Sequence, residues 1–404
     1  MRAYMIASSP VHTPTPRRDA RGGLRSRIEA FLNSRWYGQA GILHLLQPLA
    51  WLYSGVAAWR RRRAVSGSNA NSEHNSLGRL PTIVVGNLVA GGTGKTPVVA
   101  MLVEELKALG AQPGIVSRGY GGLSKSWPLS VTQDLDPALC GDEALELAQV
   151  TDCPVVAGPD RSDCVRKLSS DHDCNVVVSD DGLQHYAMSR DLEIVLVDAH
   201  RQFGNGYRIP VGPLREPIGR IREAQLLLVT ARTVAEAESA QPEIVERTGT
   251  AAGSALNCAL VAAKAEPLLA GDAIDVDQAP FVREHCVALS GVGAPERFHE
   301  DLKSLGCSLD PQVLADHHNS AELISAGTLK RWAEQSWVVT TGKDAVKLRF
   351  QLDKKTADPS TKDYQRVWVL KREVVLSPVD LIELRRVLGQ FVEQWQLKTT
   401  EGIS

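Results

Sequence analysis

The sequence predicts an α/β fold: a parallel sheet flanked by helices, with a smaller second α/β unit after it and a membrane-associated helix before it. Three observations lead there. From residue 79 onward, short β-branched runs alternate with amphipathic helical stretches, which implies βαβ units with helices on both sheet faces. A glycine-rich segment ending in Lys-Thr lies between the first run and the first helix. A mostly apolar stretch, Gly41–Trp59, stands ahead of both and runs straight into four arginines.

Composition bounds the reading. The chain has 404 residues, and at roughly 150 residues per domain that predicts two or three domains. With 43% hydrophobic and 23% charged residues, it is neither disordered nor collagenous nor a polytopic membrane protein. The net charge of −2 hides an asymmetry, because residues 1–63 carry 11 Arg against two acids and are +9, leaving −11 for the rest. A basic arm on an acidic body implies an anionic surface as partner for the arm only; no nucleic acid is expected as a partner. Seven cysteines, none in a C-x-x-C, argue against a disulfide framework and a zinc site.

Taken in chain order, residues 1–35 read as a basic, poorly ordered arm; their composition also suits an organelle transit peptide, though Met1–Arg25 lacks the apolar run of a secretory signal. Residues 36–63 read as a membrane-associated helix with its Arg cluster. Gly41–Trp59 is near the ~20 residues a spanning helix requires, but His44, Gln47 and Ser54 form a polar stripe and Pro48 interrupts it. Arginines on both sides oppose the positive-inside rule for a span, whereas a helix lying in the interface keeps both flanks near anionic headgroups. A buried core helix is the plainer alternative. Residues 64–78 read as a polar linker.

A nucleotide domain follows over 79–255. Expected strands are Thr82–Val85, Gly114–Ser117, Pro154–Ala157, Val176–Ser179, Glu193–Val197 and Leu226–Val229, and ligands of such sheets bind just past the strands' carboxyl ends. After the first strand, Gly91, Gly92, Thr93 and Gly94 form a phosphate-binding loop, with Lys95 for the β- and γ-phosphates and the Thr96 hydroxyl for Mg²⁺. The pattern departs from G-x-x-x-x-G-K-[ST] at Val89 and from the partitioning-ATPase loop at Ala90. Val98, Leu102, Leu106 and Leu109 make the following apolar stripe.

Asp180 and Asp181 end an apolar strand beside this loop, where one carboxylate normally holds Mg²⁺. Gln184 and His185 continue that loop. Arg118 follows the second strand and suits an anion. Asp142 opens a helix, where an acid commonly just complements the dipole. Arg215, next to Glu216 in a Pro-flanked loop, suits charge stabilisation in phosphoryl transfer.

Together the motifs resemble the tetraacyldisaccharide 4′-kinases of lipid A biosynthesis over about residues 36–350. They are GNLVAGGTGKTP (86–97), VSRGYGG (116–122), GDEA (141–144), AGPDR (157–161), SDDGLQH (179–185), GPLREP (212–217), LSGVGAPERF (289–298) and DHH (316–318). The family shares the irregular phosphate loop and the N-terminal membrane helix. The resemblance implies ATP-dependent phosphorylation of the 4′-hydroxyl of an acylated glucosamine disaccharide lipid at the cytoplasmic face of the bacterial inner membrane. It further implies Lys95 and Thr96 for phosphate and Mg²⁺, and Asp180, Asp181 and Glu216 around the metal. Arg215 would stand near the transferred group, Asp142 as general base and His317 as its partner, with His318 adjacent. Where the family often has Pro, this chain has Ala144.

Residues 256–280 read as a strand-rich connection and 281–404 as the smaller α/β domain, with strands Val287–Ser290 and Trp337–Thr341, helices at Glu296–Leu305 and around Ala321–Ala333, and a C-terminal helix. Thr341-Gly-Lys343-Asp344 lacks a glycine-rich approach and is no second nucleotide site. A pairing of His317 with Asp142 would set the site in a cleft between the two domains. The competing class is a nucleotide-switch ATPase or GTPase of the partitioning or metal-chaperone type, disfavoured by Ala90 and by the lack of a C-x-C motif.

Overall fold

The computed structural model describes residues 24–71, 79–269, 271–293, 295–314, 320–355 and 361–401. Its strands are β1 (Thr82–Gly86), β2 (Pro113–Ser117), β3 (Leu129–Val131), β4 (Val155–Ala157), β5 (Val176–Ser179), β6 (Leu192–Asp198) and β7 (Leu226–Ala231). They continue with β8 (Ala255–Pro267), β9 (Ile274–Asp275), β10 (His285–Ser290), β11 (Ser308–Val313), β12 (Trp337–Thr341) and β13 (Val367–Leu376). All six strands expected in the nucleotide domain form, each within two residues of the predicted bounds. Strands β1, β2 and β5 are buried at every position, which is why they read as unbroken apolar runs rather than as alternation.

The strands make one sheet in the order β11-β10-β12-β13-β8-β7-β6-β1-β5-β2-β4-β3, with β9 on β8. Pairing is parallel except at β3–β4, β8–β13 and β8–β9. Long β8 makes the sheet continuous: Ala255–Ala259 run parallel to β7, while Cys258–Pro267 run antiparallel to β13. A register shift at Lys371/Arg372 interrupts that second pairing. The nucleotide half and the C-terminal half therefore share a backbone ladder, and the cleft lies across it.

The helix Lys95–Ala108 buries Val98, Val99, Leu102, Val103 and Leu106 against the sheet. Leu109, expected on the same stripe, falls at the C-cap and is 37% exposed. The C-terminal helix Pro378–Glu401 returns to the first half, where Leu384, Leu388 and Phe391 join that cluster. Arg385 pairs there with Glu105 at 2.6 Å. The helix expected around Ala321–Ala333 is two helices, Ser320–Ser325 and Thr328–Gln335. Gly327, at φ +63°, turns the chain between them.

Ahead of the sheet lie a helix Leu24–Trp36, a 3₁₀ turn Gly41–Leu46 and a helix Gln47–Asn71. Residues 24–35 of the arm expected to be poorly ordered are thus helical, and Ala64–Asn71 of the expected linker prolong the second helix. Pro48 starts that helix rather than interrupting it, since a first-turn residue needs no N–H partner. Ala40, Leu43 and Ala50 pack on Val211, and Trp36 Nε1 donates to the Pro210 carbonyl at 3.0 Å. Among the described residues, no helix is long and apolar enough to cross a membrane.

Candidate active site

The phosphate loop departs from the common pattern for a reason visible in its pairing. Val89 forms a bridge with Leu214 and is buried beside it. The Ala90 N–H donates to the Pro213 carbonyl at 2.8 Å, and the Arg215 N–H to the Leu88 carbonyl at 2.7 Å. The entry to the loop is therefore a short strand-like segment laced to the Gly212–Pro217 loop. A glycine at 89 would forfeit that burial, and the lacing carries Arg215 to the loop's edge. Glycine is needed further on: Gly94 caps the following helix at φ +80°, backbone that a side chain rarely adopts.

Lys95, Asp181 and Arg215 form one cluster. Lys95 Nζ lies 3.4 Å from Asp181 Oδ1 and 3.4 Å from Asn87 Oδ1. Arg215 Nη1 donates to both Asp181 carboxylate oxygens, at 3.1 and 3.0 Å, and to Gln184 Oε1 at 3.2 Å. Burial alone would raise the Asp181 carboxyl, but Lys95 and Arg215 outweigh it and hold it well below the usual carboxylate range. Its neighbour behaves oppositely. Burial, reinforced by Glu143, raises Asp180 against the pull of Lys95 and Arg161. Asp180 Oδ1 is buried with no hydrogen-bond partner among the described residues.

Behind Arg215 a polar chain runs inward. Gln184 Nε2 donates to Glu216 Oε1 at 3.0 Å and to the Asn87 carbonyl at 3.2 Å. The Tyr186 hydroxyl donates to Glu216 Oε2. Glu216 also faces Arg220 Nε at 3.8 Å. The Tyr186 ring lies under three guanidinium groups: Arg190 at 4.7 Å, Arg61 at 5.4 Å and Arg220 at 5.9 Å. Arg61 belongs to the helix Gln47–Asn71 and also pairs with Glu223. A polar path therefore joins that helix to the phosphate loop.

The structure brings Gly91 to Thr96, Arg118, Asp181 and Arg215 onto one cleft of about 890 Å³, faced across the sheet by Arg297, Lys343 and Arg372. Asp142, 4% exposed, is the first residue of the helix Asp142–Val150 and lies 3.9 Å from Lys343 Nζ of the facing wall. Gly141 before it has φ +86°, and a Cβ there would meet the Tyr120 carbonyl oxygen at 2.4 Å, so no other residue sets Asp142 in place as well. Glu216 and Gln184 form the second layer behind Arg215. His185 is turned away, its Nε2 accepting from the Arg161 N–H at 3.3 Å, with burial lowering its pKa. His317 and His318 lie outside the described residues.

Four participants escaped the sequence reading. Asn87 is fully buried and faces Lys95. Tyr186 directly follows the quoted SDDGLQH run, and that adjacency was the available signal. Lys343 and Lys347 approach Asp142 from the other half; by sequence the T-G-K-D-A-V-K segment shows only that it lacks the glycines of a nucleotide loop.

Comparison with known proteins shows the family of the chain. Residues 42–388 match the family model of tetraacyldisaccharide-1-P 4′-kinase (LpxK). A curated tetraacyldisaccharide 4′-kinase of Alkalilimnicola ehrlichii is 43% identical over 306 residues, covering 75% of this chain and 83% of its own length. A crystal structure of LpxK from Aquifex aeolicus, described as an "apo" form in complex with ATP, superimposes with a TM-score of 0.63 at 25% identity. It covers 88% of this chain and 99% of its own. A match over most of the chain, together with the 43% relative, places this chain in the tetraacyldisaccharide-1-P 4′-kinase family.

Proposed function

We propose that this chain is a phosphotransferase that moves the γ-phosphate of ATP to the 4′-hydroxyl of a tetraacyldisaccharide 1-phosphate, an acylated glucosamine disaccharide of lipid A synthesis. Family membership supports the reaction. The observation that carries the site assignment is the Lys95–Asp181–Arg215 cluster at the edge of the phosphate loop, with the Asp142 carboxylate 3.9 Å from Lys343 of the facing wall. Lys95 and Arg215 put two positive charges where the transferred group gathers negative charge, and the loop amides hold the β-phosphate. Asp181 keeps both cations aimed. Gln184 and Glu216 fix Arg215 from behind. Asp142 accepts the proton of the attacking hydroxyl, a role worth typically ~10²–10⁴-fold.

Magnesium fits the donor set. Asp180 presents a buried carboxylate oxygen with no partner among the described residues, and Thr96 adds a hydroxyl on the cleft wall. Among the described residues no three His, Cys, Asp or Glu side chains gather into a cage. That suits an ion bound through one or two carboxylates and substrate phosphates. When bound it supplies charge neutralisation on the phosphoryl oxygens.

The N-terminal segment is assigned to the membrane surface. Ile42, Leu45, Leu49, Trp51, Leu52 and Trp59 are each more than half exposed, and exposed Arg60, Arg62 and Arg63 follow at once. Apolar side chains beside a basic cluster suit an anionic lipid interface. ATP as donor sets the enzyme on the cytoplasmic face of the inner membrane, where the acyl chains of the acceptor remain in the bilayer.

The test is transfer of ³²P from the γ-position of ATP to a tetraacylated disaccharide 1-phosphate in detergent micelles. Mg²⁺-dependent lipid labelling that falls roughly a hundredfold or more in Asp142→Ala supports the kinase and its base together. Undiminished labelling in Asp142→Ala removes the base assignment. Phosphate released only to water, with no lipid labelled, overturns the kinase.

A further inference from the structure

The segment Thr341–Lys347 follows β12 and opens the helix Gly342–Lys355, which packs on the helix Asp142–Val150. Asp344, fully buried, fixes where this helix begins. Its Oδ2 accepts from the Gly291 N–H at 2.8 Å and from Thr341 Oγ1 at 2.7 Å, tying the helix to the end of β10. Two lysines one turn apart then point at the first half. Lys347 Nζ lies 3.4 Å from Asp142 Oδ2 and 3.4 Å from Asp344 Oδ1. Lys343 Nζ, on the cleft wall, lies 3.9 Å from Asp142 Oδ2 and 3.3 Å from Glu143 Oε1.

We infer that Lys347, assisted by Lys343, is a positioning residue for catalysis: the pair holds the Asp142 carboxylate ionised and oriented to accept the acceptor's proton. This rests on the assignment of Asp142 as the base. Lys347 is only 8% exposed, and an ammonium is carried into such a place only with counter-charge beside it. Its Nζ makes no aligned hydrogen bond among the described residues, so it acts on Asp142 through charge rather than through a fixed donor. Cys140, Glu143 and Glu146 surround Asp142 on its own half, with Asp136 near Cys140. Asp344, Lys343 and Lys347 face it from the other. The acids in this set favour a proton on Asp142, and among the described residues Lys343 and Lys347 are cations beside it that oppose this. Both come from the C-terminal half. Docking of the two halves as seen here therefore brings this counter-charge to the base.

The measurement is kcat against pH at saturating ATP, Mg²⁺ and tetraacyldisaccharide 1-phosphate, run in parallel so that the ionisation of ATP is common to every curve. In Lys347→Met the acid limb moves up by about one pH unit or more, the usual effect of losing an opposite charge at this range. On the acid limb itself that is roughly a tenfold loss of kcat at a given pH, with KM for ATP little changed. Lys347→Arg restores the limb. Lys343→Met moves it by less and, lying on the cleft wall, carries the test if Lys347→Met loses its thermal unfolding transition. Acid limbs unmoved in both Met variants overturn the inference, whatever their stability. Full activity in Asp142→Ala instead removes the base assignment beneath it, a result recognisable on its own.

Discussion

Replacing Tyr186 with phenylalanine removes one oxygen from the polar chain behind Arg215 and leaves the ring in place. The ring keeps its contacts with Arg190, Arg61 and Arg220, so the change isolates the hydroxyl. That hydroxyl donates to Glu216 Oε2, on a side chain only 7% exposed. Once it is gone, the oxygen's nearest cation is Arg220 Nε at 3.8 Å, too far for a hydrogen bond. A hydrogen bond to a buried charge is worth about 1.5–3 kcal/mol, and the loss divides between stability and catalysis. The stability share appears as a melting temperature lower by a few degrees. The catalytic share travels through Gln184, which spans Glu216 at 3.0 Å and Arg215 at 3.2 Å. If about 1.4 kcal/mol reaches the transition state, kcat falls about tenfold. KM for ATP stays near wild type, because Lys95 and the loop amides are untouched. The assay is steady-state ³²P transfer to the micellar lipid beside a thermal melt of the same preparation. A lowered melting temperature with unchanged kcat would refute the catalytic path and leave Glu216 a purely structural anchor. Neither changing would refute the hydrogen bond.

Two further outcomes are expected. Glu146, on the cleft wall near Asp142 and Glu143, is pushed up to about 8 by burial and its acidic neighbours, with Lys343 opposing. Folded protein therefore holds a proton that the unfolded chain gives up near its ordinary value of 4.5. The stability this contributes is full below that value and is lost as pH rises through about 8. Glu146→Gln, which mimics the protonated form, should gain melting temperature relative to wild type between pH 5 and 8; a constant difference across that window would contradict it. At the membrane face, Trp51 and Leu52 are 67% and 65% exposed. Burial in lipid is worth roughly 1.5–3 kcal/mol for a large apolar side chain. Trp51→Glu with Leu52→Glu should thus weaken co-sedimentation with anionic vesicles by a hundredfold or more, while ATP binding persists. Retained sedimentation would move the membrane contact elsewhere.

The nucleotide half was largely legible because its signals are local. Parallel strands buried on both faces read as apolar runs, and ligand groups stand on the residues just after them. That logic located Lys95, Asp180, Asp181 and Arg118, and the paired motifs added Arg215. It could not say that Asp181, rather than Asp180, meets Lys95 and Arg215, because adjacent residues differ only in the turn each adopts. Asp181 sits at φ +49°, which swings it toward the cations and leaves Asp180 inward. Nor could it rank Gln184 and His185, which diverge at once: the amide reaches Glu216, the imidazole Arg161.

The sequence by itself determined the strand–loop–helix unit, the nucleotide chemistry and the apolar-basic N-terminal segment, since each depends on neighbours within about a dozen residues. The tertiary structure alone decided the rest. It turned Val89 from a defect in a glycine loop into a bridge to Leu214. It sent β8 from β7 to β13, so that two units share one sheet. It carried Lys343 and Lys347 about 200 positions along the chain to the Asp142 carboxylate. Such pairings follow from strand register and helix docking, and their strength follows from the exclusion of water around them; neither is written in the order of residues near a motif.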